Sequence, residues 1–161
     1  MKSHRIAFLP LIRPTFDVPF ANQMINSARD ALQKAGFDLV ESPTPISDAA
    51  SAEKAARMLK TDAFDALLIF QATFADATLV SILAEATDAP IFLWAVPEPW
   101  TGSRLRLNSL CGINLAAHAL TLRDIKFEYG YGVPNDPEIL QKLARTANAG
   151  ALINRLRSAR M

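Results

Sequence analysis

Short runs of consecutive apolar residues alternate along this chain with longer stretches in which apolar positions recur every three or four residues. The runs are Ile6-Ala7-Phe8-Leu9, the weaker Asp38-Leu39-Val40, Ala66-Leu67-Leu68-Ile69-Phe70, Pro90-Ile91-Phe92-Leu93-Trp94-Ala95-Val96 and finally Phe127-Glu128-Tyr129. Successive strand residues point to opposite faces, so runs apolar at every position suit strands covered on both sides. Between them, Phe20, Met24, Ala28, Ala31, Leu32 and Ala35 form a helical stripe stopped by Gly36. Ser47-Asp48 predicts the cap of a second helix carrying Ala55, Ala56, Met58 and Leu59. Thr73 and Asp76 have capping-box spacing ahead of Leu79, Val80, Ile82, Leu83 and Ala86. Residues 108–122 are apolar nearly all round, which predicts burial on more than one side. Asp136-Pro137 reads as a cap with proline at the first helical position, opening a last helix with Ile139, Leu140, Leu143, Leu152, Ile153 and Leu156.

Five strands, each followed by a helix, have one economical arrangement. It is an α/β, doubly wound parallel five-stranded sheet with helices on both faces and right-handed crossovers. The expected strand order is flavodoxin-like, 2-1-3-4-5. No linker, repeat or low-complexity segment divides the chain, so residues 1–161 are read as a single α/β domain. A chain of this length buries roughly 70% of its unfolded surface and needs no disulfide or metal staple.

Charge narrows the partners. Seventeen basic against sixteen acidic side chains leave a formal charge of +1, which supplies no pull toward nucleic acid or anionic lipid. No uncharged apolar run approaches the roughly 18–20 residues that span a bilayer. The apolar stretch 6–12, broken by Pro10, is too short for a signal-peptide core. The one cysteine, Cys111, precludes an intramolecular disulfide and suits a reducing compartment, so the expected location is the cytoplasm.

In open parallel sheets ligands gather at the carboxyl ends of the strands, beside the point where strand order reverses. The loop after the first strand is Arg13-Pro14-Thr15-Phe16-Asp17, and that after the third is Gln71-Ala72-Thr73-Phe74. The loop after the fourth is long, running from Pro97 through Glu98, Trp100, Arg104 and Arg106 to Asn108. Together they bring Arg13, Gln71, Thr73, Glu98, Trp100, Arg104, Arg106 and Asn108 to one rim. Donors and acceptors for hydroxyls beside an aromatic face are what a polyol needs. The plainer reading is that polar loop ends are solvated on any doubly wound domain. His118, within an apolar helix, is expected to be a hydrogen-bonded core residue, and Cys111 and Trp94 are expected to be buried.

Several sharper chemistries fail on residues. The first strand-to-helix turn has no glycine to admit a phosphate. A phosphoacceptor domain would end its third strand with an acid and follow its fifth with lysine, where this chain has Gln71 and Gly130-Tyr131-Gly132. A two-cysteine racemase is excluded by the single thiol. Two histidines far apart, with no paired carboxylates nearby, predict no metal cluster.

Two segments carry a family resemblance. Leu9-Pro10-Leu11-Ile12-Arg13-Pro14-Thr15-Phe16-Asp17 resembles the opening of L-fucose isomerases. Phe92-Leu93-Trp94-Ala95-Val96-Pro97-Glu98-Pro99, with Gly102 and Leu107-Asn108-Ser109-Leu110-Cys111-Gly112-Ile113-Asn114, resembles the same family's strand–loop–helix stretch. The turn at Gln71 falls where that family has its third such loop, so the similarity to the L-fucose/L-arabinose isomerase family spans nearly the whole chain. The resemblance implies the first of several domains in an oligomeric aldose–ketose isomerase that uses a manganese-type divalent ion and an ene-diol intermediate. That metal is held by later domains, so no catalytic residue, metal ligand or cofactor carries over to this chain, which ends about where a following domain would begin. In the family this domain reaches over a neighbouring subunit's active site and helps hold the sugar. By that similarity Arg13 is a substrate contact, joined by Gln71 and Phe74, whose turn departs from the family's aromatic one and leaves the sugar open. Glu98 and Trp100 complete the candidate substrate-binding set from the rim. The expectation is a substrate-covering and oligomerisation domain, inactive alone. The alternative is a free-standing sugar-binding or oligomerisation module without catalysis.

Overall fold

Each apolar run folds as a strand and each periodic stretch as a helix in the computed structural model, which describes residues 4–159. The strands are β1 (Arg5–Leu11), β2 (Asp38–Glu41), β3 (Ala66–Gln71), β4 (Ile91–Ala95) and β5 (Phe127–Tyr131). They are all parallel, in the order β2-β1-β3-β4-β5. The helices are α1 (Val18–Lys34), α2 (Ala49–Thr61), α3 (Ala77–Ala84), α4 (Ser109–Thr121) and α5 (Pro137–Ser158).

Strand alternation divides the core in two. Ala7, Leu9, Leu67, Ile69, Ile91 and Leu93 pack against α2, α3 and α4. Ile6, Phe8, Leu68, Phe70, Phe92 and Trp94 meet Ala21, Ile25, Ala28 and Leu32 of α1 and Ile139, Leu143 and Ala147 of α5. Phe8, Phe70 and Trp94 stack edge to face across β1, β3 and β4, with ring centroids 5.7 and 5.4 Å apart. The Trp94 indole donates to the Gly132 carbonyl, which satisfies its one polar atom inside the core.

Four expectations change. The stripe of α1 is phased so that Ala21 and Ile25 are its buried members, with Phe20 and Met24 at its margin. β5 runs on through Gly130 and Tyr131, because its register with β4 continues to Ala95 and a bare Gly130 lets Ile139 approach. α4 is covered by the sheet and by α3 but keeps Leu110, Cys111, Asn114 and His118 exposed, so neither Cys111 nor His118 is a core residue. α5 has 22 residues, about 33 Å of helix, whereas the five- to six-residue strands β3, β4 and β5 beneath it span about 17–20 Å. Its last turns therefore overshoot the sheet, leaving Leu152 and Leu156 in solvent.

Candidate functional site

Three loops leave the carboxyl ends of β1, β3 and β4 on the side where the strand order reverses, and backbone hydrogen bonds knit them together. The Asp17 amide donates to the Arg106 carbonyl at 3.0 Å, and the Phe74 amide donates to the Leu107 carbonyl at 2.8 Å. Leu107 is fully buried and anchors the long loop in the core. The Thr73 hydroxyl accepts from the Arg13 amide at 2.7 Å and donates to the Phe74 carbonyl. At the diverging ends of β3 and β4, the Ser109 hydroxyl accepts from the Val96 amide and donates to the Gln71 carbonyl.

Two acids fix the long loop. Glu98 accepts the backbone amides of Arg106, Leu107 and Asn108, folding residues 98–108 back on themselves. Asp17 caps α1 through the Phe20 amide and grips Arg106, whose guanidinium lies 2.8 Å from the carboxylate and 4.1 Å from the centre of the Phe20 ring. The Phe20 amide first, and then Arg106, hold the Asp17 carboxyl below the usual carboxylate range.

Between these loops lies a cleft of about 450 Å³ lined by Arg13, Thr15, Phe16, Phe74, Arg104 and Asn108. Phe16 and Phe74 stand 6.2 Å apart, tilted by 47°, with a guanidinium over each: Arg104 5.3 Å from Phe16 and Arg13 5.7 Å from Phe74. Arg13 also meets Asp76 at 3.4 Å. Among the described residues Arg104 has no carboxylate partner; its polar contact is the Thr15 carbonyl at 3.5 Å. The cleft therefore combines apolar rings, hydroxyl and amide groups, and an excess of positive charge. Such a surface can stack a sugar's C–H face, bond its hydroxyls and receive an anion.

The sequence-predicted residues separate here. Arg13 and Phe74 line the cleft, as do Arg104 and Asn108 from the wider rim. Gln71 is fully buried beneath it, with neither amide atom hydrogen-bonded within the protein and its Oε1 3.0 Å from where a Cβ on Gly112 would stand. Glu98 is committed to backbone amides, Arg106 to Asp17, and Trp100 projects from the loop at 75% exposure, outside the cleft's lining. Thr73 and Asp76 are not the capping box their spacing predicts: α3 starts at Ala77 without a side-chain cap, because Thr73 serves Arg13 and Asp76 pairs with it. Thr15 and Phe16 were not among the candidates, although an aromatic just after Arg13-Pro14, in the loop of the switch-point strand, was the available signal.

Among the described residues no group of three His, Cys, Asp or Glu side chains converges to hold a metal. The acids nearest the cleft, Asp17, Asp76 and Glu98, already serve arginines and amides. No described helix is long and apolar enough to cross a membrane. A larger hollow, about 640 Å³, lies at the opposite end, around Pro90, Ile91 and Phe127 at the amino ends of β4 and β5. Size favours that hollow, but ligand sites in parallel sheets form at the carboxyl ends, where the loops carry the arginines and aromatics.

A family model for the N-terminal domain of fucose/sulfoquinovose isomerases matches residues 7–157. A sulfoquinovose isomerase of Clostridium sp. (strain MSTE9) is 30% identical over 163 residues, covering 100% of this chain and 36% of its own length. Sulfoquinovose isomerases of Priestia aryabhattai and Alkalicoccus urumqiensis are each 25% identical, over 97% and 86% of the chain. The chain spans about a third of the length of these relatives.

Proposed function

This chain belongs to the fucose/sulfoquinovose isomerase family, as its N-terminal domain, and from that premise we propose that it is the substrate-covering and assembly domain of an aldose–ketose isomerase of carbohydrate metabolism. The observation that carries this reading is the cleft at the carboxyl ends of β1, β3 and β4, where two aromatic rings and two guanidinium groups face solvent together. Its groups suit a hexose held above it by an active site completed from other segments or another copy. Phe16 and Phe74 shield the sugar from water, while the Arg13–Asp76 pair offers a donor and an acceptor to neighbouring hydroxyls. The family's description and the relatives' name bring a sugar of the fucose or sulfoquinovose kind into this reading.

Aldose–ketose exchange moves a proton between adjacent carbons next to a polarised carbonyl, which requires an electrophile and a base at one point. In this reading the chain's part is binding, orientation and exclusion of water, which the rings and guanidinium groups of the cleft support. We place the metal ligands elsewhere in the intact protein. The chain incubated with a fucose- or sulfoquinovose-type aldose and manganese is expected to form no ketose. Turnover that co-purifies with the chain would refute this division of labour. The second reading, a sugar-binding module without catalysis, draws on the same cleft, and a longer coding sequence with metal ligands would decide against it.

A further inference from the structure

Gln71 ends β3 with its side chain fully buried, and neither Nε2 nor Oε1 has a hydrogen-bond partner among the described residues. The other polar side chains buried as deeply are engaged: the Thr73, Ser81 and Ser109 hydroxyls each bond a backbone group. An amide unpaired at both atoms destabilises a core, and an apolar side chain of the same length would fill the space without that loss. The position ties this amide to the cleft. Its Oε1 lies 3.0 Å from the point where a Cβ on Gly112 would stand, and the Phe74 Cα lies 3.1 Å from that same point. Gln71 is therefore packed between α4 and the turn that carries Phe74, and any side chain at position 112 would strike both. Phe74 and Asn108, the residue that starts α4, line the cleft above it.

Resting on the reading of this cleft as a sugar-covering surface, we propose that Gln71 is a specificity-determining residue at its floor, reading one uncharged hydroxyl that enters between Phe74 and Asn108. An amide open at both atoms offers a donor and an acceptor side by side. A hydroxyl, which donates and accepts at once, satisfies both. An anion would pair with Nε2 and be repelled by Oε1, and a hydrogen in the hydroxyl's place would leave the amide unpaired. Because Gln71 is fully buried in the free chain, the Phe74 ring swings aside as the hydroxyl enters. Binding then pairs an amide that the free protein leaves unpaired, and a sugar without that hydroxyl is rejected by the same two atoms.

The test compares the full chain with Gln71→Met, which keeps the length of the side chain and removes its polar atoms. L-fucose and analogues each lacking one hydroxyl are titrated into both proteins, labelled for NMR. Two opposite changes are expected: the variant should melt at a higher temperature and bind L-fucose on the order of tenfold more weakly. The analogue lacking the hydroxyl that Gln71 reads should bind both proteins alike. In the unaltered chain, the side-chain amide resonances of Gln71 should move with the same midpoint as those of Phe74. Unchanged L-fucose affinity in the variant would make Gln71 a structural residue, whichever way Tm moves, and would overturn the proposal. Gln71 resonances that stay fixed while those of Phe74 shift would overturn it without any variant. Both results would leave the sugar-covering reading standing, whereas no perturbation of the unaltered chain by any of these sugars would overturn both.

Discussion

Asp17 shows how one side chain ties fold to site. It caps α1 and holds Arg106, and through Arg106 it fixes the loop that carries Arg104. Its folded-state pKa is depressed, so the stability it contributes is present above the usual carboxylate range and lost as pH falls through the lower folded value. Loop resonances, those of Arg106 and Leu107 especially, should be constant above about pH 5 and shift on acidification below about pH 4. In Asp17→Asn the Phe20 amide keeps an acceptor but Arg106 loses its anion, so the loop should loosen at every pH with little change in Tm. A loop docked identically at pH 3 and 7, in both proteins, would contradict this. At this scale the sequence was legible where a residue lies close behind a strand, as Arg13 does two positions after Leu11. It was not legible for Glu98, whose engagement depends on a loop turning back to present three amides. Cys111 and His118 misled because helical periodicity places residues on a face without saying which face the neighbouring helix covers.

At the scale of elements, close approach is bought with glycine. α5 passes so near the loop before β3 that a Cβ on Gly150 would lie 1.6 Å from the Asp65 carbonyl oxygen, a backbone atom that cannot swing aside. Gly150→Ala should therefore destabilise the fold by about 1–3 kcal/mol or more, read as a fall in Tm or denaturation midpoint, while Leu152→Ala on the exposed overshoot should change it little. Equal, small effects from both would mean that α5 stands off the sheet. The existence of all five strands and five helices could be read from apolar periodicity. The ends could not: β5 lengthened because pairing with β4 carried it on, and α3 started without its predicted box because tertiary contacts claimed Thr73 and Asp76. Both are long-range effects that local spacing does not encode.

For the molecule as a whole, topology followed from alternation and handedness, and the position of the cleft followed from topology. Its composition was only half legible, since the ring pair of Phe16 and Phe74 requires two loops distant in sequence to meet. The central claim is that the sugar lies on that ring pair, at the carboxyl ends of the strands, and not in the larger hollow at the amino ends of β4 and β5. Mapping amide and aromatic shift changes as a hexose is titrated into the labelled chain tests this most directly. The account predicts changes at Thr15, Phe16, Phe74, Arg104 and Asn108. Changes confined to Glu85, Asp88, Lys126 and Glu128 would contradict it.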